Sequence, residues 1–210
     1  MVRDGQGEQL RRWIVGITGA SGAVYGVTLC RELLAAGIHL HVVVSDAGWR
    51  VLKEELDWDA ARRKESLYRG LGLEEGDPRL TYHPPSDIGA SIASGSFRTE
   101  GMAVVPCSMG TLSAIAHGAS DNLLARAADV MLKEGRPLLL VPRETPLHAI
   151  HLENMLKLAR LGVRIIPAMP AFYYGPQTLE DAVRFVVGKV MDSMGVPHRL
   201  FRRWGEAGDE

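Results

Sequence analysis

Charged and hydroxyl residues follow several short apolar runs of this sequence, at the points where a strand would end. "PLLLVP" runs directly into Arg143 and Glu144, "MAVVPC" runs into Ser108 and Thr111, and "WIVGIT" leads to Ser21. Hydroxyls and free backbone amides at a helix start suit a phosphate, and a carboxyl group can transfer a proton. These positions are therefore the first candidates for a binding or catalytic site.

The glycine-rich stretch "GITGASGAVYG" predicts a tight turn that opens a helix. Gly19 and Gly22 would let the backbone approach a ligand closely, and we expect free amides there that could hold a phosphate. The spacing is not the G-x-G-x-x-G of dinucleotide folds, and the second strand ends in Ser45 and Asp46 rather than in a lone acid. A mononucleotide or flavin phosphate is therefore favoured over NAD, and a turn without a ligand stays open. "GASGA" is also not G-x-S-x-G, which disfavours Ser21 as a nucleophile.

The segment after "MAVVPC" carries a cysteine and two spaced cations. Cys107 could be a thiolate at a helix start, but a small buried residue is the simpler interpretation. Arg126 and Lys133 lie seven residues apart on one predicted helix and so share a face. On the residues alone, that face is most simply a solvated one.

Two further groups leave alternatives open. In "AFYYGP", Tyr173 or Tyr174 could offer a hydroxyl to an anion, and an ordinary packed loop explains the stretch equally well. Lys189 falls away from the apolar stripe of the last predicted helix, so it can bind a ligand only if that surface meets another subunit.

A pair of histidines invites a metal interpretation that the surrounding residues do not support. His148 and His151 are three apart, but Thr145-Pro146 predicts a helix N-cap followed by proline at the first helical position. No further ligand is evident nearby, so we expect no metal site.

The elements that position these candidates are predicted to be short strands that alternate with helices. Strands are predicted at 13–18, 39–45, 102–107, 137–142 and 163–167, and helices at 24–36, 47–56, 111–117, 122–133, 147–161 and 179–194. Residues 57–99 are predicted to be loops with short elements. The alternation indicates an α/β fold in which helices cover both faces of a parallel sheet, with ligands at the carboxyl ends of the strands.

Length and composition bound the protein class. The chain has 210 residues, is 46% hydrophobic and has a formal net charge of -1, which is ordinary globular composition without an electrostatic footprint for nucleic acid. Its two cysteines, Cys30 and Cys107, have no metal or redox spacing, which favours a reducing compartment. No apolar run spans a bilayer and the start lacks a secretory signal, so we expect a cytoplasmic protein with no membrane partner. The basic pair Arg11–Arg12 and the tail "RRWGEAGDE" are predicted to be solvated ends.

Three long strings carry a resemblance to a known family. They are "GITGASGAVYG", "SGSFRTEGMAVVPCSMGTLSAIAHGASDNLLARAADVMLKE", and "RPLLLVPRETPLHAIHLENMLKLARLGVRIIPAMPAFYYGPQTLEDAVRFVVGKV". Together they resemble the UbiX/Pad1 family of flavin prenyltransferases over residues 13–204. The resemblance implies a three-layer flavodoxin/Rossmann-like fold around a central parallel sheet. It divides the chain into a flexible N-terminus (1–12), one flavoprotein domain (13–204) and a C-terminal tail (205–210).

The activity implied by this resemblance joins a dimethylallyl group from dimethylallyl monophosphate to N5 and C6 of reduced FMN. The product, prenylated FMN, is the cofactor of UbiD-type decarboxylases. The resemblance also implies a homo-oligomer, commonly a dodecamer, with the site at a subunit interface. No metal is needed.

Residue roles implied by the resemblance fall into three groups. The expected FMN-binding residues are Gly19, Ala20, Ser21, Ser45, Ser108, Met109, Gly110, Thr111 and Arg143. The expected catalytic residues are Ser21, Glu144 and Glu55, with Glu144 close to the leaving phosphate. The expected substrate-binding residues are Arg126, Lys133, Tyr173 and Lys189, where arginine is common in the family at the last position.

Two alternatives are compared with this interpretation. A related flavin-dependent decarboxylase, acting on cysteine-derived peptides or phosphopantothenoylcysteine, would need an Asn in place of the "SMGT" chemistry and a mid-chain catalytic histidine, and His83 is off that pattern. A flavin-binding subunit without catalysis would not need Lys133, Glu144, Tyr173 and Lys189 together.

Overall fold

The computed structural model describes residues 10–205 of the chain. Six strands and seven α-helices alternate along it. The strands are β1 (Arg12–Ile17), β2 (His39–Val44), β3 (Leu80–His83), β4 (Gly101–Cys107), β5 (Leu138–Pro142) and β6 (Arg164–Ile165). The helices are α1 (Ala23–Ala35), α2 (Asp46–Leu56), α3 (Arg63–Gly70), α4 (Met109–Ala116), α5 (Leu123–Lys133), α6 (Ala149–Arg160) and α7 (Leu179–Met194).

All six strands pair in parallel, in the order β3-β2-β1-β4-β5-β6. Chain order reverses between β1 and β4, where a doubly wound sheet opens a crevice at the carboxyl ends of its strands. The segments after β1 and β4 therefore flank that crevice. The predicted α/β fold with a central parallel sheet is confirmed, and the predicted elements agree with the observed ones to within two residues.

The sheet separates two apolar cores, which gives the three layers. On one face, α1, α2 and α7 pack over inward side chains such as Val15, Val42 and Val141. On the other face, α4 and α5 pack over Ile14 and Met102. The β4 strand is buried along its whole length, as expected for a central parallel strand covered on both faces.

The segment from 57 to 99 is more regular than the sequence predicted. It contains α3, the edge strand β3 and a short 3₁₀ turn at Ser91–Ala93. β3 is only four residues long, too short for its alternation to separate it from a loop in the sequence. The helix α6 also begins later than predicted: His148, not Thr145, is its N-cap and accepts from the His151 amide.

Arg11 and Arg12, which were predicted to belong to a solvated end, make tertiary contacts. Arg11 donates a 2.8 Å hydrogen bond to Glu100, and the guanidinium of Arg12 lies 5.5 Å from the centre of the Phe97 ring. The predicted flexible N-terminus otherwise concerns residues 1–9, and the predicted C-terminal tail concerns mainly 206–210; both stretches lie outside the described residues. Within residues 10–205, no helix is long and apolar enough to cross a membrane.

Candidate active site

The turn between β1 and α1 is shaped by two glycines. A Cβ on Gly19 would lie 2.5 Å from the Cβ of Ala47, so only glycine lets this turn pack against the start of α2. Gly22 is the N-cap of α1 and has a φ of 100°, a left-handed conformation that favours glycine. Ala20 is buried between them and Ser21 is exposed. The turn therefore presents the Ser21 hydroxyl at the sheet edge.

The carboxylate of Glu55 occupies the start of α1. It accepts hydrogen bonds from the Ser21 hydroxyl at 2.6 Å, from the Gly22 amide at 3.0 Å and from the Ala23 amide at 2.9 Å. A negative group is stabilised there because the first amides of a helix carry partial positive charge. The prediction that these amides are free for a phosphate was wrong, since a carboxylate of α2 already satisfies them.

The start of α4 is built differently and leaves room. Ser108 is its N-cap and accepts from the Thr111 amide, while its own amide donates to the Thr18 hydroxyl at 2.7 Å. The amides of Met109 and Gly110 lie in the first turn of α4, where no preceding carbonyl group of the helix can accept their hydrogen bonds. A Cβ on Gly110 would meet no atom within 4 Å, so the space over this turn is open. Among the helix starts beside the crevice, α4 is thus better suited than α1 to an anion.

Arg143 and Glu144 follow β5 and line two neighbouring cavities, one of which they share. Arg143 lines a cavity of about 700 Å³ together with Ser21, Glu55 and Tyr25. Glu144 lines a second cavity of about 470 Å³, between the end of β5 and α6, which Arg143 also borders. Arg143 therefore forms part of the wall between the two cavities, and Glu144 faces only the second one.

Tyr25 is a cavity residue that the sequence did not single out. A Cβ on Gly22 would lie 2.8 Å from the Tyr25 ring and 3.6 Å from Cδ of Arg143, so these groups meet at one point. Burial raises the pKa of Tyr25, and the charge of Arg143 partly offsets this effect. Thr18 was also missed: its hydroxyl donates to the Pro106 carbonyl at 2.8 Å and ties β1 to β4. The sequence feature that could have identified Thr18 is its position as a polar residue at the end of an apolar run.

Ser45 has a structural role in the chain as described. Its hydroxyl caps α2 by accepting from the Gly48 amide at 3.0 Å. The cap places the side chain at the carboxyl end of β2, next to β1 in the sheet. Ser45 therefore lies one strand away from the crevice between β1 and β4.

The two cations of α5 share a face, as their spacing predicted. Arg126 donates to the carbonyl of Ala93 and pairs with Asp129 at 2.9 Å, and Lys133 pairs with Glu134 at 2.6 Å. Lys133 ends α5 before β5 begins, whereas Arg143 follows the end of β5. A five-residue strand spans roughly 16 Å, so Lys133 lies far from Arg143 and Glu144 in the same chain.

Tyr173 and Lys189 form a separate group with the C-terminal segment. The Tyr173 ring meets Trp204 edge to face at 5.2 Å, and Lys189 lies 3.6 Å from Asp192. Lys189 is ten residues below the start of α7, or about 15 Å along the helix from the carboxyl edge of the sheet. The described part of the tail is exposed, as predicted, with Trp204 80% exposed, but it is not free of contacts, because Arg203 binds Asp192 at 2.7 Å.

The remaining candidates have structural roles. His148 and His151 stack with ring centres 3.4 Å apart at the start of α6. Burial raises the pKa of the Cys107 thiol far above its ordinary value, which does not favour a thiolate. Within residues 10–205, no group of three or more His, Cys, Asp or Glu side chains is arranged to hold a metal ion.

A glycine turn, a hydroxyl-capped helix start and an arginine meeting at the switch point of a parallel sheet define a doubly wound α/β protein suited to a phosphate-bearing ligand. Residues 2–191 match the family model described as Flavoprotein. Flavin prenyltransferase UbiX of Alkalihalophilus pseudofirmus is 56% identical over 192 residues, which cover 91% of this chain and 95% of that protein. The chain belongs to the UbiX family of flavin prenyltransferases.

Two solved structures agree with this assignment. AnUbiX (PadA1), in complex with FMN and dimethylallyl pyrophosphate, superposes with a TM-score of 0.85 at 39% identity, covering 95% of this chain and all of that one. A dodecameric FMN-dependent UbiX-like decarboxylase from Escherichia coli O157:H7 superposes with a TM-score of 0.83 at 45% identity, covering 93% of this chain and 100% of that chain.

Proposed function

We propose that this protein transfers the dimethylallyl group of dimethylallyl monophosphate to reduced FMN and releases phosphate. One bond forms at flavin N5 and a second at C6, which closes a fourth ring. The observation that carries the proposal is a cavity of about 700 Å³ beside the turn between β1 and α1, where Ser21, Glu55 and Arg143 meet residues of α1 and the start of α7. That volume lies within the usual range for small-molecule and cofactor sites.

The FMN site in this proposal lies along the carboxyl ends of β1, β2 and β4. Gly19 and Ala20 bring the backbone close to the flavin. Ser45 contacts the edge of the flavin, and Arg143 contacts its ring system. The open turn at the start of α4 holds the phosphate, because the amides of Met109 and Gly110 are available there while those of α1 are bound to Glu55.

Proton movement is assigned to two different carboxyl groups. Alkylation at N5 breaks the C–O bond of the donor and releases the N5 proton. Ring closure then adds a proton to the prenyl double bond while C6 loses one, so it needs no net proton. The Ser21 hydroxyl, bonded to Glu55 at 2.6 Å, offers a path for these transfers. Glu144 borders the second cavity and protonates the phosphate as it leaves. Separate cavities keep the proton acceptor apart from the proton donor.

Cations stabilise the negative charge that develops on the leaving phosphate. Lys133, Lys189 and Tyr173 bind this phosphate in the proposal, and Arg126 lies close to it. Neither Lys133 nor Lys189 is near Glu144 within one chain, since each lies roughly 15 Å or more from the carboxyl edge of the sheet. We therefore infer that neighbouring copies complete each site in a homo-oligomer, a dodecamer like that of the E. coli relative.

The proposal also includes the enzyme that receives the product. Prenylated FMN is passed to a UbiD-type decarboxylase, so adding the product to such an enzyme freed of its cofactor should restore decarboxylation.

A cytoplasmic location fits the two cysteines, which are both free and buried.

The decarboxylase alternative has weaker support. A PPC decarboxylase structure superposes with a TM-score of 0.57 at 20% identity, a likeness that shows the fold alone. An accessory flavin-binding subunit would not explain why the acid Glu144 is present together with Tyr173 and the two lysines at 133 and 189.

One experiment separates these functions. The protein is incubated without oxygen with reduced FMN and dimethylallyl monophosphate, and the flavin is analysed by mass spectrometry. We expect flavin heavier by one dimethylallyl unit, and recovery of unmodified FMN alone would refute the proposal. Parallel reactions with dimethylallyl pyrophosphate and with a peptide ending in cysteine test the donor preference and the decarboxylase alternative.

A further inference from the structure

The carboxylate of Asp192 connects α7 to the chain that follows it. Oδ1 accepts from Arg203 at 2.7 Å and from His198 Nε2 at 3.1 Å, and Oδ2 lies 3.6 Å from Lys189 Nζ. The amide of Leu200 donates to His198 Nδ1 at 3.2 Å, so the ring proton of neutral His198 is on Nε2 and points at Asp192. One carboxylate thus gathers three donors from two segments.

The environment of Asp192 favours its charged form. Burial acts to raise the pKa of Asp192, but hydrogen bonds from Arg203 and His198 outweigh burial and lower the pKa below its usual value. Only 25% of the Asp192 side chain and 2% of the His198 side chain are exposed. Partial burial strengthens these contacts relative to a fully exposed ion pair.

Apolar packing docks the same segment independently of charge. A Cβ on Gly188 would lie 2.5 Å from the Phe201 ring, so the C-terminal segment 196–205 approaches α7 more closely than any larger residue at 188 allows. The Phe201 ring in turn packs on Phe185 with centres 4.7 Å apart. This docking places Trp204 against Tyr173.

Tyr173 is held between two rings. Trp204 meets it at 5.2 Å and Phe185 at 6.0 Å, both nearly perpendicular to its plane. Tyr173 is 46% exposed, so without Trp204 one side of the ring would be open to solvent. Trp204 is itself 80% exposed, so its edge-to-face contact with Tyr173 depends on how the rest of the C-terminal segment is docked.

We propose that Asp192 is a positioning residue for the prenyl-donor site. Its carboxylate holds the C-terminal segment so that Trp204 fixes Tyr173, and it directs the ammonium group of Lys189. The inference rests on the proposed function, in which Tyr173 and Lys189 bind the donor phosphate. A lysine has no fork geometry of its own, so a neighbouring carboxylate matters more for its direction than it would for arginine.

Asp192→Asn tests the idea because it removes the charge with little change in shape. We expect the KM for dimethylallyl monophosphate to rise about tenfold, the effect of losing one charged contact, while FMN affinity and the rate at saturating donor stay unchanged. Limited trypsin digestion should cut after Arg199 and Arg202 several times faster, because the segment undocks. Asp192→Glu should recover part of the KM.

Gly188→Ala undocks the segment without changing any charge, since its methyl group would collide with Phe201. The same KM and cleavage changes are expected, and Glu65→Gln, which removes an exposed helical ion-pair partner on α3, serves as the matched control. Wild-type KM or wild-type cleavage in Asp192→Asn overturns the inference, as does a parallel loss of FMN affinity. Cleavage does not depend on turnover, so a wild-type protein that makes no prenylated flavin would be recognised as a failure of the proposed function instead.

Discussion

The Ser21 hydroxyl and the Glu55 carboxylate lie 2.6 Å apart, and the same carboxylate caps the first turn of α1. One side chain therefore serves both the fold and the candidate site. Glu55→Gln should lower the free energy of unfolding by about 1 kcal/mol, because an amide cannot accept from every donor that the carboxylate satisfies. It should also slow prenyl transfer.

Chemical denaturation and single-turnover flavin prenylation, both measured on Glu55→Gln, check this dual role. The exposed neighbour Glu54 provides the control, and Glu54→Gln should change neither quantity. If Glu55→Gln unfolds with the wild-type free energy, the cap does not stabilise the protein. If it turns over at the wild-type rate, Glu55 has no role in the chemistry.

Glu144 should be needed for chemistry and not for flavin binding. Glu144→Gln keeps the size of the side chain but cannot donate the same proton, and Glu144 does not line the larger cavity that holds Ser21 and Arg143. We expect unchanged FMN affinity and a transfer rate reduced by roughly 100-fold or more. Flavin fluorescence titration and quenched-flow prenylation measure the two quantities. Turnover equal to wild type would exclude Glu144 as the acid.

The sequence predicted the fold and the edge of the sheet at which several candidate residues lie, but not which partners these residues meet. Alternating apolar runs placed the strands because a parallel sheet buries both faces, and the residues after those runs do lie at one edge. The amides of Gly22 and Ala23 looked free because Glu55 is 33 residues away from Gly22 in the chain. Such long-range partners leave no local pattern.

The same limit applies to the C-terminal segment. Arg203 and Trp204 sit in a short charged tail that is indistinguishable from a solvated end by composition, yet both contact α7 or Tyr173. Conversely, the exposed position of Lys189 followed from its place on the helical wheel. Helical periodicity predicts which face is exposed, and tertiary contacts decide what covers the other faces.

Hybrid oligomers should reveal a site shared between copies. Lys133→Ala and Glu144→Gln should each be strongly impaired alone, because the proposed site needs both the lysine that binds the phosphate and the acid. If Lys133 of one copy serves Glu144 of another, mixing equal amounts through co-expression leaves about a quarter of the sites intact by random pairing. Activity near that fraction supports a shared site. A mixture as inactive as its components would show that both residues act within one chain.

A buried histidine pair should make stability depend on pH. His41 of β2 and His83 of β3 face each other at 3.0 Å between ring nitrogens, and the Phe97 ring covers His41. Burial first, and then the charges of His83 and Arg12, lower the pKa of His41 from 6.5 to about 4. Burial also lowers the pKa of His83, against the opposing charge of Asp87.

Because the folded-state pKa of His41 is depressed, the unfolded chain binds an additional proton between about pH 6.5 and pH 4. The contribution of His41 to stability is therefore complete above pH 6.5 and is lost as the pH falls toward 4, by about 3 kcal/mol. Urea denaturation at pH 7.5, 6 and 5 should show this decline, and His41→Phe should flatten it. The exposed His117 gives the control, since His117→Gln should leave the slope as in wild type. An identical slope for wild type and His41→Phe would mean that the pair does not sense pH.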